Sequence, residues 1–222
     1  MKNKFLYNQK NRLDLLNDIN NEDFSRITCS FYKYANIENL ETMRNKLFLD
    51  WNNLNILGRI YLANEGINAQ LSIPENNFKK FMLNLYSYEP FKKIKIKTAI
   101  QEGVSFLKLT IKIKNEIVAY KMNKNSYDMK KVGKHLNYKE FNKAIDQGAI
   151  VVDVRNYYEG EVGKFKNAII PDVDTSVELL PEIKNLLKNK KDEKILMYCT
   201  GGIRCEKASS YLIHHGFKDV NQ

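Results

Sequence analysis

One stretch of this chain has residue types at a spacing suited to nucleophilic chemistry. It is Cys199-Thr200-Gly201-Gly202-Ile203-Arg204, directly after the apolar run Lys194-Ile195-Leu196-Met197-Tyr198. A cysteine there ends a buried parallel strand, the position at which open α/β sheets bind ligands. The two glycines let the backbone curl so that successive N–H groups face one centre. The helix that follows the loop would add its positive N-terminal end, and Arg204 a fixed cation. All of these favour the thiolate, so Cys199 is expected to ionise early and be nucleophilic at neutral pH. The competing reading, a small core residue followed by a glycine turn, leaves the order strand, glycine loop, helix unexplained. Cys205 is expected to pack in the first helical turn, and Cys29 to be buried in a strand elsewhere.

The spacing separates two chemistries. A phosphatase loop of this kind would place its arginine at position 205, where this chain has Cys205; the arginine comes one position earlier, at Arg204. The smaller loop suits a sulfur or oxygen atom carried on Cys199 better than a phosphate. Asp153 and Arg155 end another expected parallel strand near the same sheet edge. They read either as support for the loop or, preferably, as a buried ion pair stitching it to the sheet, since partly buried charges pair. Glu159 reads the same way.

Two segments must position these residues. Over 27–120 the pattern predicts a strand at 27–34, a helix at 40–51, strands at 56–63 and 67–73, a helix after Pro74, and strands at 94–99 and 106–113. This β-α-β-β-α-β order with one further strand predicts a ferredoxin-like (split βαβ) α+β domain, an antiparallel sheet with two helices on one face. Residues 1–26 read as a polar extension holding one short helix, and the Lys-rich stretch 121–134 as a linker. Over 135–222 short apolar strands without alternation (149–154, 168–170, 194–198) lie between helices at 138–147, 178–188 and 205–214. That predicts a small α/β domain on a parallel sheet.

Composition excludes several classes. The 222 residues carry 36 basic and 26 acidic side chains, a formal charge of +10, and 43% hydrophobic residues, which is too apolar for a disordered chain. No run approaches the ~18 apolar residues of a membrane span, and the apolar run near the N-terminus is too short for a signal peptide. Three cysteines exclude a disulfide framework. No Cys-x-x-Cys pair and only three histidines argue against a metal site. A cytoplasmic protein is expected.

The 30 Lys, 6 Arg and 27 Asn are what an AT-rich genome yields by codon bias, so charge counts only where it is organised. In Lys93-Ile94-Lys95-Ile96-Lys97 and Lys108-Leu109-Thr110-Ile111-Lys112-Ile113-Lys114 lysines alternate with apolar residues. A period of two would place Lys93, Lys95, Lys97, Lys108, Lys112 and Lys114 on the open face of the sheet, extended by Lys121, Lys124, Lys130, Lys131 and Lys134. Such a surface suits the phosphate backbone of RNA. No RNA-recognition-motif aromatic string is present; Tyr32 and Tyr34 are candidates for stacking.

The glycine loop, with Asp153-Val154-Arg155 upstream, resembles a rhodanese domain. More narrowly, the chain is similar to the tRNA uridine-34 hydroxylases of the rhodanese-containing UPF0176 group. The strings that carry this are Ser30-Phe31-Tyr32-Lys33-Tyr34, Glu65-Gly66-Ile67-Asn68-Ala69-Gln70, Glu161-Val162-Gly163 and Met197-Tyr198-Cys199-Thr200-Gly201-Gly202-Ile203-Arg204-Cys205-Glu206-Lys207-Ala208-Ser209. The resemblance implies hydroxylation of carbon 5 of the wobble uridine of tRNA. Molecular oxygen would be co-substrate and Cys199 essential. The residues themselves show no flavin or nicotinamide fingerprint and few metal ligands, so no bound organic cofactor or metal is expected. The partner would be tRNA, not DNA or a membrane. Rhodanese domains continue past Asp219-Val220-Asn221-Gln222, which implies that the second domain is incomplete here. The alternatives are a sulfurtransferase carrying a persulfide on Cys199, and a binding module on the same scaffold; fold alone does not choose. In the hydroxylase, Cys199 would either add to uracil carbon 6 or carry a persulfide or sulfenate.

Overall fold

The computed structural model describes residues 6–8, 10–99 and 104–222. Of the polar extension expected over 1–26, residues 1–5 and 9 lie outside the described set. The chain divides into two units, Met1–Ile117 and Val118–Gln222.

In the first unit the elements run α1 (Arg12–Asn20), β1 (Arg26–Tyr34), α2 (Leu40–Asn53), β2 (Leu57–Ala63), β3 (Gly66–Pro74), α3 (Phe78–Ser87), β4 (Lys97–Ala99) and β5 (Leu109–Ile113). The sheet order is β4-β1-β3-β2-β5. β1 pairs antiparallel with β3 and β4, β3 antiparallel with β2, and β2 parallel with β5. This is the expected split βαβ sheet with the added strand on the β2 edge. Side chains alternate across it: Cys29, Phe31, Ile60, Leu62, Ile67, Ala69 and Leu71 are buried in one core with Trp51 and Phe81. Trp51 and Phe81 meet edge to face, with ring centroids 5.6 Å apart. Each such ring contributes about 1.5–3 kcal/mol by leaving water. The β2–β3 turn needs Gly66: at φ +145° a Cβ there would stand 2.0 Å from the Lys33 carbonyl oxygen.

Two strands are shorter than the alternation predicts. Lys93 takes a left-handed backbone (φ +58°), and the Ile94 N–H turns back to the Phe91 carbonyl. Ile94 is therefore buried from a loop, and only Lys97–Ala99 is extended. Likewise β5 begins at Leu109, not 106.

In the second unit α4 (Tyr138–Asp146) starts at an Asn137–Glu140 capping box and is followed by β6 (Ile150–Asp153). Then come α5 (Tyr157–Val162), α6 (Ser176–Leu186), β7 (Lys194–Tyr198), α7 (Ile203–His214) and β8 (Asp219–Asn221). The sheet is parallel, in the order β6-β7-β8. The strand expected at 168–170 is a single bridge from Ile169 to Val152, since Asn167 at φ +61° turns the chain just before it. The short helix α5 lies between the strands expected at 149–154 and 168–170, where no helix was expected.

The stretch expected as a linker, 121–134, is packed into the second unit, for a reason that lies in α7. Lys207, Ser209 and Ser210 on that helix are buried, and buried polar groups need partners. The preceding backbone supplies them. Ser210 Oγ donates to the Asp128 carbonyl (2.7 Å) and accepts from its N–H. Ser209 Oγ accepts from Gly133 N–H at 2.8 Å, and Lys207 Nζ donates to the Val118 carbonyl.

Candidate active site

β7 ends at Tyr198, so Cys199 stands at the C-terminal mouth of the parallel sheet, half-buried. Gly202 adopts a left-handed conformation (φ +92°) as the N-cap of α7, a state that costs other residues about 1 kcal/mol or more. That turn points its own N–H at the Cys199 sulfur, 3.0 Å away. Ile203, expected in the loop, is the first residue of the helix.

The main support of the Cys199 thiolate is Cys205. Its thiol and its backbone N–H both donate to Cys199 Sγ. The thiol bond is the largest influence; burial opposes it, and the two N–H bonds and the Arg204 charge add to it. Together they bring the Cys199 thiol down to about 5. Nearly all of it is thiolate at neutral pH. Cys205 itself is 2% exposed and its thiol is pushed well above the ordinary range, first by that same bond and then by burial. The sequence pointed to packing for Cys205 and assigned the charge support to Arg204 and the glycine loop.

Arg204 is committed elsewhere. Its guanidinium forks onto Glu159 Oε1 and Oε2 at 2.6 and 3.0 Å and also reaches Thr200 Oγ1. Thr200 Oγ1 donates to Glu159 Oε2 at 2.7 Å. The Arg204 bonds, against burial, hold the Glu159 carboxyl at about 2. Glu159 and Arg204 thus brace the loop from α5, and the cation acts on Cys199 only through space. Gly201 carries no crowding: a Cβ there would meet nothing within 4 Å.

Asp153 and Arg155 form a second brace. Arg155 grips the Asp153 carboxylate with Nε and a terminal nitrogen (2.9 and 2.7 Å). The Tyr198 hydroxyl donates to the same carboxylate at 2.7 Å, and Arg155 lies over the Tyr198 ring at 5.2 Å. Burial works against the Asp153 charge, but the Arg155 and Tyr198 bonds outweigh it and hold the carboxyl below its usual range. Since Tyr198 precedes Cys199, this network sets where the nucleophile leaves the sheet. The part played by Tyr198 had no local signal in the sequence.

The basic residues of the first unit do not form one patch. Lys93, Lys95 and Lys97 are exposed on and before β4; Lys108, Lys112 and Lys114 on and around β5, at the opposite edge. Between them the open face is continued by Arg59, in a row running Lys97, Ser30, Gln70, Arg59, Thr110. The next row runs Tyr32, Asn68, Tyr61, Lys112, and Lys114 Nζ sits 5.6 Å from the Tyr61 ring. None of the five strands carries an acidic residue. Lys121, Lys130, Lys131 and Lys134 are exposed in the second unit; nothing is described of the Lys124 side chain. No helix among the described residues is long and apolar enough to cross a membrane.

Residues 26–117 match the UPF0176 acylphosphatase-like domain, and residues 137–221 match the rhodanese-like domain. Among curated proteins the chain is 51% identical over its whole length to a tRNA uridine(34) hydroxylase of Leptospira interrogans, covering 61% of that protein. It is 45% identical, over 90% of its length, to a protein of the same name from Hamiltonella defensa, of which it covers 57%. For the one from Escherichia fergusonii the identity is 43% over 90% of the chain, covering 58% of the relative. The chain therefore spans about three fifths of the length of the curated relatives it matches. With the acylphosphatase-like and rhodanese-like domains in this order and Cys199 in the loop of the second, the chain is similar across both domains to the rhodanese-containing UPF0176 proteins.

Proposed function

We propose that this chain hydroxylates carbon 5 of the wobble uridine of tRNA, with molecular oxygen as co-substrate and Cys199 as the reacting thiolate. It would act in the cytoplasm as a monooxygenase-type oxidoreductase. The observation that carries the reading is the 51% identity across the whole chain to a relative of that name. The site chemistry agrees with it. A thiolate held at about 5 is ionised at neutral pH and able to add to carbon 6 of a uracil ring. That addition makes carbon 5 electron-rich toward oxygen. One oxygen atom then stays on carbon 5 and the other leaves as water, which takes two electrons and two protons from a reductant.

The open face of the first sheet is the proposed tRNA surface. Lys97, Arg59, Lys112 and Lys114 supply cations for phosphates, with Lys93, Lys95 and Lys108 at its edges. Tyr32 and Tyr61 offer rings on the same face for an unstacked base. A target base at position 34 lies in a single-stranded loop, where turning it out costs least.

The test is nucleoside mass spectrometry of bulk tRNA. The host lacks its own wobble-uridine hydroxylation and expresses this chain or Cys199→Ala. Restoration of 5-hydroxyuridine derivatives by the first and not the second is the expected result. If neither restores them, and the purified chain instead moves sulfur from thiosulfate to cyanide, the reading gives way to sulfur transfer by a Cys199 persulfide.

A further inference from the structure

Cys205 has no assigned task beyond its bond to Cys199, yet its surroundings are those of a reactive partner. It lies in the first turn of α7, 2% exposed, in the same apolar cluster as Tyr120 and against Cys199. It stands three residues past Gly202, whose N–H is 3.0 Å from the Cys199 sulfur, in the cluster against which Cys199 packs, and its thiol is hydrogen-bonded to that sulfur. The remaining cysteine, Cys29, is buried in the first unit, and burial pushes its thiol up to about 12, so it does not compete.

We infer that Cys199 and Cys205 form a reversible dithiol–disulfide couple, in which Cys205 is the resolving thiol for an oxidised Cys199. The order of events follows from the charges. While Cys199 is a thiolate, its negative charge keeps the proton on Cys205, which therefore acts as a donor only. When a peroxide oxidises Cys199, the thiolate attacks one peroxide oxygen, the O–O bond breaks and hydroxide leaves, giving a neutral sulfenic acid. The charge that held the Cys205 proton is then gone. The Cys205 sulfur, already in contact, attacks Cys199 Sγ; the S–O bond breaks, the S–S bond forms, and the Cys205 proton leaves with the hydroxyl as water. Two thiols have lost two electrons and two protons, and the peroxide has become two waters. A sulfane sulfur on Cys199 would be displaced in the same way as hydrogen sulfide.

Resting on the hydroxylase reading, the couple also supplies the electrons that reaction requires. A uracil C–H, one oxygen molecule and two thiols give a uracil C–OH, one water and one disulfide, with all atoms and electrons accounted for. The enzyme would then need a dithiol reductant between turnovers.

The sequence supplies a clean readout, because trypsin cuts after Arg204, between the two cysteines. The reduced chain, freed of reductant, is treated with hydrogen peroxide, alkylated and digested. The expected result is one linked product joining the peptide 195–204 to the peptide 205–207, lost on treatment with dithiothreitol. It should be absent from Cys199→Ser, and in Cys205→Ser be replaced by a dimedone-reactive Cys199. A dimedone adduct on wild-type Cys199 without the linked product overturns the inference; so does a link between two chains through Cys199, or a Cys199 that stays freely alkylated in excess peroxide. The second arm uses the reduced chain, air and an anticodon stem-loop RNA with no added reductant. One disulfide per 5-hydroxyuridine is expected. Product with both thiols intact overturns the electron role and leaves the hydroxylase reading standing. A peroxide-formed link with no product under any reductant overturns the hydroxylase reading and leaves the couple standing.

Discussion

Cys205→Ala is the substitution that best probes why Cys199 is a thiolate. It removes the S–H donor and keeps the backbone N–H of residue 205, the Gly202 N–H at 3.0 Å and the Arg204 charge. A hydrogen bond to a charged group is worth about 1.5–3 kcal/mol, and one pKa unit is 1.36 kcal/mol, so losing it should raise the Cys199 pKa by about 1–2 units. From about 5, the midpoint should move to roughly 6–7. The assay is the rate of alkylation by iodoacetamide against pH, with thiolate absorbance in the ultraviolet as a second readout. The sign is unambiguous: the wild type should lose reactivity only as pH falls through about 5, the variant already near neutrality. Serine at 205 keeps a donor hydroxyl and should recover part of the shift. A Cys205→Ala midpoint unmoved from the wild-type value would refute the reasoning. The backbone amides and Arg204 would then hold the charge unaided, as the sequence alone suggests.

Other consequences can be checked by simpler means. Glu159→Gln removes the acceptor of the Arg204 fork, both partners being about four-fifths covered, and should cost roughly 1–3 kcal/mol at neutral pH. The Glu159 pKa is depressed, so its stabilisation is full above its ordinary value and lost as pH falls through about 2; the thermal-melt gap between wild type and variant should narrow steadily with acid. A gap independent of pH would show that the ion pair is not its source. Asp153→Asn leaves Arg155 poorly compensated beneath Tyr198, and should lower stability by about 3 kcal/mol in chemical denaturation; a loss under ~0.5 kcal/mol would dismiss the brace. Arg59→Ala and Lys112→Ala should each reduce the salt slope of tRNA binding by about 1, and unchanged slopes would remove that face from the RNA surface. Gly66→Ala drives a Cβ into the Lys33 carbonyl and should leave little folded protein, read by circular dichroism; a native melt would contradict the tight turn.

What was legible in the sequence was whatever a local pattern encodes. Alternation over 67–73 and the apolar run at 194–198 announced strands on two different kinds of sheet, and the glycine loop announced the turn that carries Cys199. What was not legible depended on residues far apart in the chain. The Glu159–Arg204 fork joins α5 to α7, and the Tyr198 bond to Asp153 joins β7 to β6; neither pair has a spacing to find. The 121–134 stretch shows the same limit from the other side. By composition it is polar and Lys-rich, so it reads as a linker. Its backbone is nevertheless the partner that Ser209 and Ser210 require once α7 is buried. Cys205 is the most instructive case. Its place in the first helical turn is legible in the sequence, and packing is the ordinary role of a buried cysteine there. The left-handed turn at Gly202 changes that outcome, because it folds the helix start back toward the strand end and brings the second sulfur onto the first. The loop thus holds two thiols of opposite protonation in contact. A charge on one fixes the proton on the other, so the proposed couple would give up its two electrons in the oxidation of Cys199, and Cys205 would then close the disulfide with loss of water.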